Sequence, residues 1–123
     1  MRVLVVDDNA DVLSSMDLIL SGAGHETRTC DDTRRAIELN REEPADVLIT
    51  DIFMPGVDGL ETITEFRSIW PNLKIVAMSG GGNISKRDYL SVALKIGADA
   101  MVRKPFEPQA LLELVRQLVP RQP

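Results

Sequence analysis

The chain has 123 residues, with 14 Lys and Arg against 19 Asp and Glu, a formal charge of −5. That length suits one domain with a continuous core and is too short for two. A hydrophobic share of 44% with 27% charged residues excludes disorder, apolar runs of only a few residues exclude a membrane span, and the lone Cys30 excludes an intramolecular disulfide or a multi-cysteine metal site. The acidic total also weighs against direct nucleic-acid binding. Met1-Arg2 runs directly into Val3-Leu4-Val5-Val6, too little for a signal peptide, so a cytoplasmic location is expected. The charge is uneven: residues 1–62 hold 14 acids and 5 bases, residues 63–123 hold 5 acids and 9 bases.

Short Val- and Ile-rich runs alternate with segments of helical period throughout. The first strand is expected over Arg2–Asp7, an almost unbroken apolar run of the kind buried on both faces. A helix over Asn9–Ala23 follows, with Val12, Leu13, Met16, Ile19 and Leu20 on one stripe and Gly22 and Gly24 as its stop. His25–Cys30 reads as a polar edge strand with His25 at the surface. Asp32–Glu43 reads as a second helix, weakly amphipathic through Ala36, Ile37 and Leu39 and ended by Pro44. Asp46–Asp51 is a buried strand, and Met54-Pro55-Gly56-Val57 a turn-rich loop. The third helix packs through Leu60, Ile63, Phe66 and Ile69, closed by Trp70 before Pro71. Lys74–Met78 is the fourth strand, followed by Ser79 and three glycines; Ser85–Ile96 is the fourth helix, stopped by Gly97. Ala100–Arg103 is the fifth strand and Pro108–Val119 the fifth helix, with Leu111, Leu112, Leu114, Val115 and Leu118. A domain over residues 1–119 with a short tail, 120–123, is the expectation.

Five strands alternating with five helices imply an α/β fold: a doubly wound parallel sheet, most simply of order 2-1-3-4-5, with ligands at the carboxyl ends of the strands. There the sequence places Asp7-Asp8 after strand one, Asp51 at the end of strand three, Ser79 after strand four and Lys104-Pro105 after strand five. Three converging carboxylates repel one another unless positive charge sits among them. Lys104 supplies one charge, and the rest suits a hard divalent cation with oxygen ligands, Mg²⁺ before others.

In this order, Asp7-Asp8, the run Asp51-Ile52-Phe53-Met54-Pro55-Gly56 with Asp58-Gly59 behind it, Ser79, Gly97-Ala98-Asp99 and Lys104-Pro105-Phe106 resemble the receiver domain of two-component response regulators, of the chemotaxis-regulator kind, over Arg2–Val119. The resemblance implies the flavodoxin-like fold and a phosphoacceptor. Asp51 would take a phosphoryl group from a histidine kinase or phosphotransfer protein. Asp7, Asp8, Asp51 and the backbone carbonyl of Phe53 would hold Mg²⁺ or Mn²⁺. Lys104 and Ser79 would contact phosphoryl oxygens, and Pro105 is a cis-peptide candidate. The output face would lie around the fourth helix, with Tyr89, the fifth strand and the fifth helix, in a monomer or weak dimer that contacts an output protein or effector domain. The chain departs from the family at Met101, where an aromatic switch residue is usual, and at Ser79, where Thr is commoner. Only four residues follow Val119, so the expectation is either a stand-alone receiver or one excised from a longer chain, with Met1 set tightly before the first strand and the short tail leaning toward the former.

Rival readings are a phosphorylation-independent binding module, an aspartyl phosphohydrolase and a flavin-binding domain. The first leaves Asp8, Asp51 and Lys104 together without a purpose. The second wants an acid where Phe53 stands, and the third a phosphate-cradling loop where Asp7-Asp8 would repel phosphate.

Overall fold

The computed structural model describes residues 1–54, 57–79, 95–104 and 106–119, with residues 53, 54 and 57–59 described through their backbone alone. In chain order the elements are β1 (Arg2–Val6), α1 (Ala10–Gly22), β2 (Glu26–Cys30), α2 (Thr33–Glu42), β3 (Val47–Asp51), β4 (Phe53–Met54), β5 (Val57–Asp58), α3 (Gly59–Ile69), β6 (Lys74–Ser79), β7 (Ala100–Arg103) and a C-terminal helix, α4 (Pro108–Leu118). Five strands form one parallel sheet in the order β2-β1-β3-β6-β7, the order expected from the sequence. β4 and β5 form a separate antiparallel pair, Phe53 opposite Asp58 and Met54 opposite Val57, inside what the sequence presents as a loop.

Alternation along the strands divides the core in two. Leu4, Val6, Leu48, Ile75 and Ala77 face α2 and α3, packing on Ala36, Ile63 and Phe66. Val3, Val5, Val47, Ile49, Val76 and Met78 face α1 and α4, packing on Met16, Leu20, Leu111 and Val115. Every side chain of β3 is buried, which explains why its run reads as continuously apolar rather than alternating. The helical stripes expected for α1 and α4 are the faces that pack. Phe66 is fully buried and meets Trp70, its ring centroid 5.3 Å away, where α3 ends.

The helix starts follow from side-chain caps. Asn9 sits before α1 in extended conformation and accepts the N–H groups of Asp11 and Val12; Asp32 accepts that of Arg35 at the start of α2. Asn9 and Asp32 therefore lie outside the helices the periodicity assigns them to. Of the expected fourth helix, residues 85–94 lie outside the described residues, Tyr89 among them, while Lys95 and Ile96 are helical. Gly97 ends that helix with φ +105°, and a side chain there would also meet Arg67, 3.2 Å from its Nε.

His25 corrects one expectation. β2 begins at Glu26, and His25 instead belongs to the turn that Gly24 closes at φ +94°, with its N–H bonded to the Leu20 carbonyl at 3.1 Å. The turn folds His25 toward the C-terminal helix, where it is half-buried and, among the described residues, its enclosed Nδ1 has no hydrogen-bond partner. Burial, and then the N-terminal ammonium, hold its pKa below the ordinary 6.5.

Two outcomes follow. Truncating Phe66 to Ala removes a fully buried ring and should cost about 3–5 kcal/mol in chemical denaturation. Because the unfolded chain binds a proton at His25 more readily than the folded one, stability is full above the ordinary histidine value and falls as pH drops below it. His25→Gln should flatten that acid-side decline in thermal melts between pH 7 and 5, and an unchanged profile would refute the assignment.

Candidate functional site

The parallel register decides which groups meet. Val6 of β1 stands beside Thr50 of β3, so the residues that follow, Asp7 and Asp51, emerge side by side. Asp51 stands beside Met78, the next position on β6 is Ser79, and Ser79 stands beside Arg103 of β7. Lys104 leaves β7 with its N–H bonded to the Ser79 carbonyl at 2.8 Å. Four strands thus deliver Asp7, Asp51, Ser79 and Lys104 to one edge of the sheet.

Lys104 closes the group. Its Nζ lies 2.7 Å from Asp7 Oδ2 and 3.1 Å from Asp51 Oδ2. The Asp7 side chain is fully buried and that of Asp51 nearly so; the Lys104 side chain is 20% exposed. Burial by itself depresses the Lys104 ammonium, but hydrogen bonds and charge from Asp7 and Asp51 outweigh it, and its pKa lies above the ordinary lysine value. Lys104 is therefore an ammonium at any physiological pH.

Asp7 is held from three directions. Its N–H donates to the Cys30 carbonyl of β2, its Oδ1 accepts the Asn9 N–H at 2.9 Å, and its Oδ2 accepts Lys104. The Asn9 contact is not among those that hydrophobic periodicity reveals. It turns the chain sharply after Asp7, leaving Asp8 exposed at the rim while Asn9 starts α1. The signal for it was the Asp7-Asp8-Asn9 run itself, since Asp and Asn commonly bond the backbone two residues on.

One carboxylate oxygen from each of Asp7, Asp8 and Asp51 can be chosen so that all three lie within 4.8 Å of one another. Oxygens around an octahedral Mg²⁺ at about 2.1 Å stand roughly 3–4 Å apart, so this donor set fits a hard divalent ion. Electrostatics agree. Among the described residues, three carboxylates and one ammonium leave a formal −2 at a largely buried site, a balance that a dication brings to zero.

Ser79 is buried at 2% exposure, on the strand end between Asp51 and Lys104. Met101 is half-buried in β7, packed against the cluster that includes Ile75 and Ala77. The backbone of Phe53 lies two residues beyond Asp51 in β4. Pro105 and Tyr89 lie outside the described residues.

Comparison with known proteins agrees with this geometry. The family model for the response regulator receiver domain matches residues 3–116. The chain is 34% identical over 120 residues to response regulator MprA of Mycolicibacterium vanbaalenii and 34% identical over 121 residues to that of Mycobacterium leprae, in each case over 98% of its own length. It spans about half of those relatives, 51% and 52%. Among solved structures, a putative response regulator from Chloroflexus aurantiacus superimposes with a TM-score of 0.86 at 30% identity, covering 98% of both chains. Chemotaxis protein CheY4 of Vibrio cholerae gives 0.86 at 27%, covering 96% of this chain and 98% of that one. NtrX from Brucella abortus, solved with ADP, gives 0.87 at 33%, covering 95% of this chain and 26% of the other. Register, fold and family model agree: the chain belongs to the response regulator receiver domains of two-component signalling systems.

Proposed function

We propose that the chain is a phosphoacceptor switch: Asp51 takes a phosphoryl group from the phosphohistidine of a partner kinase or phosphotransfer protein. A carboxylate oxygen of Asp51 bonds to phosphorus as the phosphorus–nitrogen bond to the donor imidazole breaks, the electron pair returning to that nitrogen. The product is an acyl phosphate on Asp51. The observation that carries this reading is the Lys104 ammonium lodged between two buried carboxylates of neighbouring strands, 2.7 and 3.1 Å from them, with a third carboxylate beside them.

The reaction sets an anionic nucleophile against an anionic phosphoryl group, so positioning and charge neutralisation carry most of the catalysis. Asp7, Asp8, Asp51 and the Phe53 carbonyl would hold Mg²⁺ or Mn²⁺, directly or through water. The ion when bound offsets the charge that builds on the phosphoryl oxygens. Lys104 already touches Asp51 Oδ2 and needs little movement to follow the negative charge onto a phosphoryl oxygen. The Ser79 hydroxyl would donate to a second oxygen. Since Ser79 also holds Lys104 through its backbone carbonyl, the two contacts are mechanically linked.

Phosphorylation adds about −1.5 to −2 of charge at Asp51. It signals only if two conformations bind that charge differently. In this reading the differential contacts are those of Ser79 and Lys104, at the ends of β6 and β7, and the responding surface lies around residues 85–103 and the C-terminal helix. Met101 would fill the space vacated by a moving Ser79, and Tyr89 would meet an output protein or effector domain. Asp51, Ser79 and Lys104 act on the chain's own phosphorylation and dephosphorylation; no turnover of a separate substrate is proposed.

The test is intact mass after incubation with Mg²⁺ and acetyl phosphate. The wild type should gain one phosphoryl mass, Asp51→Asn none, and chelation of Mg²⁺ should abolish the gain. Equal gain by the Asn variant would remove Asp51 from the role. Lys104→Met should fold and slow the modification about 100-fold, the scale of losing one preorganised charge donor. A rate within a few-fold of wild type would show that Lys104 is not needed for the transfer.

A further inference from the structure

Lys104 enters the site at the end of a strand poorly placed to fix its own register. β7 has four residues, and among the described residues it pairs with β6 alone. Only Val102 within it is buried; Ala100 and Met101 are half-buried and Arg103 exposed. Register is strongly specified where a strand buries a full face and weakly where it does not. A slip of one residue would turn Lys104 to the other face of the sheet, and a slip of two would carry it about 6–7 Å from its partners.

The other end of the strand carries a fixture. Asp99, just before β7, donates its N–H to the Ile75 carbonyl at 2.7 Å and accepts the Ile75 N–H on Oδ2 at 2.8 Å. That same Oδ2 is 2.8 Å from Arg67 Nη2. Arg67 in turn places all five of its N–H donors: Nε and Nη2 on the Gly97 carbonyl, Nη2 also on Asp99, and Nη1 on the carbonyls of Pro71 and Leu73 at 2.8 and 2.6 Å. Its neighbour Phe66 is fully buried, so the guanidinium is borne by a helix fixed in the core. An exposed ion pair contributes little, but this one is half-buried, forked and shared with backbone carbonyls.

We propose that Arg67 and Asp99 are positioning residues for Lys104, setting where β7 begins and hence where its last residue delivers the ammonium between Asp7 and Asp51. The proposal deepens the phosphoacceptor reading and rests on it for its consequence, though not for its geometry. Asp99 acts as the first rung of the β6–β7 ladder, Arg67 ties that rung to α3, and the Lys104 N–H to Ser79 carbonyl bond is the last rung, five residues along.

Amide hydrogen exchange of Lys104, read by NMR, separates positioning from general support. Arg67→Met should raise Lys104 exchange about tenfold, and Arg67→Lys should restore part of the protection. Ile63→Val, a core variant with a comparable loss of melting temperature, should change Lys104 no more than it changes the rest of the sheet. Should Arg67→Met fail to fold, Asp99→Asn keeps an oxygen for the Ile75 N–H while removing the ion pair, and the same result is expected of it. Lys104 exchange no faster than in the core variant would overturn the proposal. In the same samples, acetyl phosphate labelling of Asp51 should slow in step with the loosening of Lys104, while unchanged labelling beside faster exchange would also count against it. If wild-type Asp51 takes no phosphoryl group, the phosphoacceptor reading fails, and the exchange data still judge the placement of Lys104.

Discussion

Two carboxylates buried side by side at the ends of adjacent strands share the Lys104 ammonium, and the described part of the site is organised around that arrangement. Asp7 and Asp51 are carried there by β1 and β3, strands whose residues 3–6 and 47–51 are essentially inaccessible to water. The parallel register holds the two backbones side by side, and burial makes uncompensated charge expensive. Lys104 offsets part of the cost: burial works against its ammonium, but hydrogen bonds and charge from Asp7 and Asp51 hold its pKa above the ordinary lysine value. Asp8, exposed and close by, widens the deficit again and does so where a dication has access from solvent. The overall −5 of the chain thus includes a −2 concentrated at four residues, the balance a divalent ion would cancel.

Much of this is written in residue order. Parallel strands that read as unbroken apolar runs, helices with one apolar stripe, and polar residues at each strand's carboxyl end are enough to give the sheet order and to bring Asp7, Asp8, Asp51, Ser79 and Lys104 together. What the sequence leaves obscure is of a different kind. The β4–β5 pair rests on backbone bonds between two-residue strands, which leave no periodic trace. His25 follows an apolar helix and precedes a polar strand, and only the positive φ of Gly24 sends it inward. Asn9 and Asp32 fall at the head of the expected helical spans yet stand outside the helices as caps, because a side chain that satisfies exposed N–H groups is worth more there than one more turn.

Polar residues buried between helices are the least legible. Thr33 and Thr62 join their hydroxyls at 2.8 Å between α2 and α3, and Asn40 accepts the Ala45 N–H. Arg28 caps the carbonyls of Leu39 and Glu43 from the edge strand. Each reads in isolation as a surface residue, since its partner lies 5 to 29 positions away and is named by no local pattern. Arg67 belongs with them. A basic residue in the last turn of a helix is commonplace, and nothing nearby in sequence announces that its partners include the glycine that ends the next helix and the aspartate that opens the last strand.

The complete burial of β3 has a consequence for how such a molecule can change. Amide groups in a strand covered on both faces and paired on both edges open only when the whole domain does. Asp51 terminates that strand, so the residue proposed to receive the chemical signal stands on backbone that is buried on both faces and paired on both edges. A perturbation arriving there meets a strand whose local opening is costly. In the proposed reading it would be passed sideways as a change in electric field and hydrogen-bond demand to groups on β6 and on β7, whose outer edge no other described strand covers. The centre of the sheet serves as the anvil, and the half-buried margin is where shape is free to follow charge.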